Sequence, residues 1–167
     1  LLGVIIPLLF FGALLVNLYW VALALLALTG LDMLDGMVAR SSGKVTPFGG
    51  FLDSTIDRFA DFVILVAFGF ANLIAWEVVL PLVLLTYLIS YMRSRIELAA
   101  KGTLAANVGI IERGERIAII FFGLLLYVLF PSVSVRDKNI LTITFLLLTG
   151  LSIVTALQRL TFAYKKL

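Results

Sequence analysis

Asp32, Asp35, Asp53, Asp57 and Asp61 are five carboxylates close together in a chain otherwise rich in Leu, Ile, Val and Phe. Asp32 and Asp35 are three apart and Asp53 and Asp57 four apart, so each pair lies on one face of a helix. An ionised acid at mid-bilayer costs about 2.5–3.5 kcal/mol, and four unpaired ones would cost on the order of 10 kcal/mol. Such a group persists only with counter-charge, and the cations in the same two segments are Arg40 and Arg58. Divalent metal is the natural remainder. Carboxylate oxygens without imidazole or thiolate select Mg²⁺, Mn²⁺ or Ca²⁺ over zinc, and two such ions together polarise a phosphoryl group and neutralise a departing one. The chain has no His and no Cys, so its acid–base and metal chemistry must rest on carboxylates, with Lys, Tyr or water in support. Intramembrane acids also mark ion or proton pathways, but both pairs sit at one end of their helices rather than along a path. Asp61, one turn deeper than Asp57, is expected to support the ligands from behind or to pair with Arg58 or a tyrosine.

A basic set accompanies the acids. SYMRSRIE supplies Ser90, Arg93 and Arg95, IIERGERI supplies Arg113 and Arg116, and LQRL supplies Arg159. Arg93 and Arg95, two apart, cannot share a helix face, whereas Arg113 and Arg116 can. Guanidinium groups grip phosphate bidentately and stay charged in a partly dry site. An acceptor that carries its own phosphate fits such a cluster. Interfacial anchoring is the other use of these arginines. Glu97, Glu112 and Glu115 are expected to pair with them and hold the loop.

The elements that position these residues follow from composition. Of 167 residues, 62% are hydrophobic and 14% charged, whereas a soluble domain is about half apolar and a quarter charged. The chain therefore reads as a lipid-bilayer protein. A spanning helix needs about 20 mostly apolar residues, which predicts helices over 1–16, 19–40, 48–73, 78–100, 113–130 and 139–163. The fold class expected is an all-α integral membrane protein of six transmembrane helices, a single unit over residues 1–167. Six spans place both termini and the second and fourth loops on one side. That side collects every Lys and Arg except Arg136 and Lys138, and every acid except Glu77 and Asp137. The positive-inside rule makes it cytoplasmic, so a multi-pass cell-membrane protein with its site near the cytoplasmic face is expected. The chain opens on an apolar run without a cleavable signal pattern, which suggests a start part-way through a longer protein.

The motif Asp32-x-x-Asp35-Gly36-x-x-Ala39-Arg40, followed after eight residues by Gly49, then Asp53 and Asp57 at four-residue steps, resembles the signature of the CDP-alcohol phosphotransferase family. The resemblance implies a CDP-linked lipid donor, CDP-diacylglycerol or CDP-archaeol, whose phosphatidyl-type group moves to an acceptor alcohol with release of CMP. By position, it makes Asp32, Asp35 and Asp53 the principal ligands of two Mg²⁺ or Mn²⁺ ions. Asp57 becomes the general base, also touching a metal. Gly36, Ala39, Arg40, Gly49 and Asp53 would seat the cytidine diphosphate. Tyr91-x-x-x-Arg95-x-Glu97 and Glu112-Arg113-x-Glu115-Arg116 are similar to the inositol-phosphate branch of the family. In that branch's pattern Ser90, Arg93, Arg95, Arg116 and Arg159 would line the site for inositol 1-phosphate, a phosphorylated polyol, with Arg113 beside them. Arg93 stands where the branch often has Lys, and Gly114 where Pro can stand, departures that preserve charge. Glycerol 3-phosphate is the alternative acceptor, and a cation transporter or channel the alternative of another class. The resemblance also implies a homodimer; no nucleic-acid partner is expected.

Overall fold

Six α-helices carry the described part of the chain in the computed structural model: α1 (Leu2–Leu15), α2 (Tyr19–Ser41), α3 (Pro47–Phe70), α4 (Trp76–Ala99), α5 (Arg113–Leu129) and α6 (Ile140–Lys166). The structure describes the backbone of residues 2–41, 46–101, 103, 108–135 and 138–167; the side chains of residues 2, 32–41 and 135 lie outside the description. The helix ends fall within three residues of the boundaries that hydropathy predicts, because local chemistry marks them. Thr46 caps α3 ahead of Pro47, and Asn139 caps α6 by accepting from the Thr142 N–H. Glu112 and Glu115 form a reciprocal capping box at the start of α5. Asn17, Asn72 and Lys101 take the left-handed conformation just past α1, α3 and α4. A two-residue antiparallel pair, β1 (Ser134–Val135) with β2 (Lys138–Asn139), links α5 to α6, a small departure from the all-helical expectation.

The main helix contacts close into a ring in the order α1, α2, α5, α6, α4, α3 and back to α1. The short link between α2 and α3 predicts that they are direct neighbours at the end that lies outside the described side chains, and α1 packs extensively against both. Gly3 permits this approach, since a Cβ there would lie 2.8 Å from Ile56 Cγ2 on α3. The apolar core draws on all six helices and fills one end of the bundle. Phe10, Phe68 and Phe145 run in line from α1 through α3 to α6, with ring centroids 5.8 and 5.0 Å apart. Leu14, Leu26, Leu82, Leu124 and Leu148 fill the space around them. Toward the opposite end lies the buried charge, with Asp61, Arg116 and Arg159 all inaccessible to solvent or nearly so.

Large apolar side chains also cover the outside, among them Leu9, Trp20, Phe51, Phe62, Leu84, Phe122, Leu147 and Leu160. A water-soluble monomer rarely exposes so much contiguous apolar surface. Among the described residues, α4 and α6 are long and apolar enough to cross a membrane, and the stretches Gly3–Leu15 and Tyr19–Leu31 are apolar but shorter.

Candidate active site

The first turns of α3 set out the acids. The Gly49 N–H donates to Thr46 Oγ1 at 3.1 Å, and a Cβ at Gly49 would stand 3.0 Å from that oxygen, so the turn closes tightly there. Asp53 follows on an exposed turn, Asp57 comes one turn later and partly covered, and Asp61 another turn later and fully buried. The four-residue spacing stacks the three carboxylates along one face. The helix thus carries its acids from solvent into the protein interior.

Arg113 and Arg116, in the first turn of α5, meet that face. Arg113 Nη1 lies 2.6 Å from Asp57 Oδ1, and its Nε donates to Asp61 Oδ1 at 3.1 Å. Arg116 Nη2 donates to Asp61 Oδ2 at 2.6 Å. Arg58 Nη2 stands 3.6 Å from the same oxygen, while its Nη1 donates to Ser90 Oγ on α4. The Tyr87 hydroxyl donates to the Arg58 carbonyl at 3.2 Å. Arg58 Nε is buried and, among the described residues, has no hydrogen-bond partner. Charge-assisted contacts of this kind are strong where water is excluded. One network therefore ties α3, α4 and α5 together around Asp61.

Arg159 forms a second node. It is buried on α6 and donates to the Val108 carbonyl at 2.8 Å and the Ile89 carbonyl at 2.6 Å, with Glu112 at 3.6 Å. Thr155, one turn earlier, accepts from the Ile111 N–H at 3.1 Å. Gly109 has φ +141°, a region that disfavours side chains, and a Cβ there would meet Thr155 Cγ2 at 2.5 Å. The stretch 108–112 is thereby fastened to α6 and delivers Arg113 and Arg116 to α3. Arg93 pairs with Glu97 along α4 at 3.1 Å, and Arg95 is exposed.

Of the residues singled out from sequence, the structure joins Arg113 directly to Asp57 and brings Arg116 and Ser90 to the same network through Asp61 and Arg58. It sets Arg159 apart with the 108–112 stretch and turns Arg93 toward Glu97. The side chains of Asp32, Asp35, Gly36, Ala39 and Arg40 lie outside the described residues, although their backbone belongs to α2. Among the described residues no three acids gather as a metal cluster. Asp53 and Asp57 nevertheless offer hard oxygens on one face, a donor set that fits Mg²⁺ or Mn²⁺ when completed from another helix. The expected pairing of Asp61 with Arg58 is present at 3.6 Å, whereas the two α5 arginines on its oxygens and the onward link from Arg58 to Ser90 were not anticipated. The signal was present in the continuation of the four-residue spacing from Asp57 and in the shared face of Arg113 and Arg116.

A family model described as CDP-alcohol phosphatidyltransferase matches residues 1–157. The chain belongs to this family. Among relatives, the archaetidylinositol phosphate synthase of Pyrococcus horikoshii is 45% identical over 137 residues, covering 82% of this chain and 65% of that protein. The enzyme of the same name from Methanothermobacter thermautotrophicus is 39% identical over 149 residues, covering 86% and 70%. The phosphatidylinositol phosphate synthase of Mycobacteroides abscessus is 37% identical over 113 residues, covering 64% and 50%. The chain thus spans between half and about two thirds of the length of these relatives. In three dimensions it resembles the Mycobacterium tuberculosis phosphatidylinositol phosphate synthase crystallised with CDP-DAG, with a TM-score of 0.70 and 26% identity over 98% of this chain and 87% of that one. The same synthase in complex with manganese and citrate matches with a TM-score of 0.70 and 26% identity over 98% of this chain and 83% of that one.

Proposed function

We propose that this member of the CDP-alcohol phosphatidyltransferase family transfers the phosphatidyl-type group of a CDP-lipid, CDP-diacylglycerol or CDP-archaeol, to inositol 1-phosphate and releases CMP. One observation carries the reading: Asp57, last acid of the signature, is held at 2.6 Å by Arg113, so the acids and the arginine wall meet at a single carboxylate. The inositol-phosphate names of the relatives support the acceptor.

In this reading Asp57 is the general base. It takes the proton of the attacking hydroxyl while that oxygen bonds to the lipid-side phosphorus. The phosphorus–oxygen bond to CMP breaks, and CMP leaves with that bonding pair. Asp32, Asp35, Asp53 and Asp57 would hold two divalent cations, Mg²⁺ or Mn²⁺, whose charge, when bound, favours departure of CMP from the pyrophosphate. Gly36, Ala39, Arg40, Gly49 and Asp53 seat the cytidine diphosphate. Ser90, Arg93, Arg95, Arg113, Arg116 and Arg159 attract and orient the acceptor phosphate, the last four from three different elements.

All six helices span the bilayer in this reading, with both termini and the active site cytoplasmic, and the lipid chains enter sideways between helices because only the nucleotide head is polar. The apolar exterior supports that arrangement. A homodimer completes it. The deciding experiment measures CMP release by purified protein with Mn²⁺ and either CDP-lipid, across inositol 1-phosphate, glycerol 3-phosphate and free inositol. Release is expected with inositol 1-phosphate and lost in Asp57→Asn. Preference for glycerol 3-phosphate would move the acceptor assignment, and ion flux without CMP release would end the transferase reading.

A further inference from the structure

Asp61 has no part in the chemistry just described, yet it is the most enclosed charge in the network. Both of its oxygens are occupied, Oδ1 by Arg113 Nε at 3.1 Å and Oδ2 by Arg116 Nη2 at 2.6 Å. Arg113 faces two carboxylates at once, since its Nη1 reaches Asp57 Oδ1 at 2.6 Å. A guanidinium is rigid and planar, so seating its Nε edge on Asp61 fixes where Nη1 points. The charges matter as much as the geometry. Arg58, Arg113 and Arg116 place three cations beside two carboxylates, Asp57 and Asp61. The side chain of Arg116 is only 4% exposed, so little water screens it. Without Asp61, Arg113 would keep Asp57 as its carboxylate partner among the described contacts.

We propose that Asp61 is a positioning residue for Asp57: it absorbs the charge of Arg113 and Arg116 and fixes their direction, which keeps the Asp57 carboxylate able to serve a divalent cation. This rests on the reading that Asp57 is both a metal ligand and the base. Asp61 itself touches neither substrate nor metal. Arg113 is the intermediary, and it competes with the cation for Asp57 unless Asp61 holds it back.

The test compares wild type, Asp61→Asn, Arg113→Gln, the double variant and Asp61→Glu, all as detergent-purified full chain. Binding is read from the electron paramagnetic resonance of free Mn²⁺ without substrate, beside CMP release and thermal unfolding. Asp61→Asn is expected to weaken Mn²⁺ binding by about tenfold, the size of one uncompensated charge at such distances. Arg113→Gln is expected to bind Mn²⁺ at least as tightly as wild type. The double variant should return to within about threefold of wild type, as expected when Asp61 acts through Arg113. Asp61→Glu, which keeps the charge but moves it outward, should retain Mn²⁺ affinity and lose turnover.

Loss of thermal stability in Asp61→Asn with unchanged Mn²⁺ affinity would overturn the proposal and leave Asp61 a packing residue. Independent, multiplying effects of Asp61→Asn and Arg113→Gln would overturn it as well. Where Asp61→Asn does not fold, Asp61→Glu decides, and wild-type turnover in that variant counts against the positioning role. A wild-type protein that binds Mn²⁺ but releases no CMP from inositol 1-phosphate sinks the acceptor assignment alone, and the Mn²⁺ comparison still tests Asp61.

Discussion

In the proposed reading Arg116 would serve both stability and recognition. Its guanidinium is buried and bonded to Asp61 at 2.6 Å, and breaking a buried pair by removing one partner costs about 3–5 kcal/mol. Arg113 and Arg58 remain beside Asp61 in Arg116→Ala, so the loss should fall at the low end of that range, visible as a lower unfolding midpoint in detergent. If Arg116 also meets the acceptor phosphate, the same variant should raise the acceptor's KM far more than the donor's. Equal rises in both would remove it from the acceptor site. Half-buried Arg93 offers a contrast: its pair with Glu97 is partly in solvent, and such i,i+4 pairs contribute only about 0.3–0.5 kcal/mol. Loss of this pair in Arg93→Gln should cost little, and comparing the acceptor's KM with the unfolding midpoint separates an effect on binding from one on structure.

The stretch 108–112 acts as an element although it has no regular structure. It is held by Arg159 on the Val108 carbonyl and by Thr155 on the Ile111 N–H, and it aims the first turn of α5. Gly109→Ala must bear both the positive φ and a contact of 2.5 Å with Thr155 Cγ2, a strain of about 1–3 kcal/mol. Turnover should drop with stability because Arg113 and Arg116 follow directly. Thr155→Ser removes the clashing methyl and keeps the hydroxyl, so Gly109→Ala/Thr155→Ser should recover part of both losses; no recovery would mean that φ alone sets the cost. The pairing of Glu112 with an arginine was legible, but the backbone contacts were not, since Arg159 and Val108 are 51 positions apart and no periodicity links a loop to a distant helix. The helices were legible because polar and breaking residues punctuate long apolar runs. The ring order was not, because a short link between α2 and α3 carries no information about α1 packing against both. Asp53 and Asp57 were legible as a helical pair, whereas the centrality of Asp61 depends on two arginines from another helix.

At the scale of the whole molecule, charge and apolar surface make one testable claim about orientation. Eleven of the 13 Lys and Arg residues fall on the side that would hold both termini and the acids, against Arg136 and Lys138 on the other, a bias of the kind that sets topology. The chain has no cysteine, so single cysteines can report sidedness without a background. Lys101, beyond the end of α4, and Tyr164, near the end of α6, are exposed on the proposed cytoplasmic side. Ser134, in the hairpin between α5 and α6, is exposed on the other. In sealed right-side-out vesicles a membrane-impermeant maleimide should label Ser134→Cys and spare Lys101→Cys and Tyr164→Cys until the vesicles are opened. The reverse pattern would turn the protein over in the membrane and put the carboxylates and arginines on the outer face. Labelling of Lys101→Cys and Ser134→Cys from the same side would mean that α5 does not cross. With only 17 residues, that helix rises about 26 Å at 1.5 Å per residue, against a hydrocarbon core of about 30 Å. In the proposed orientation the charged first turn of α5, bound to Asp57 and Asp61, would sit close to the interface, within reach of water and of the proposed acceptor, while the proposed donor's lipid chains would stay in the bilayer.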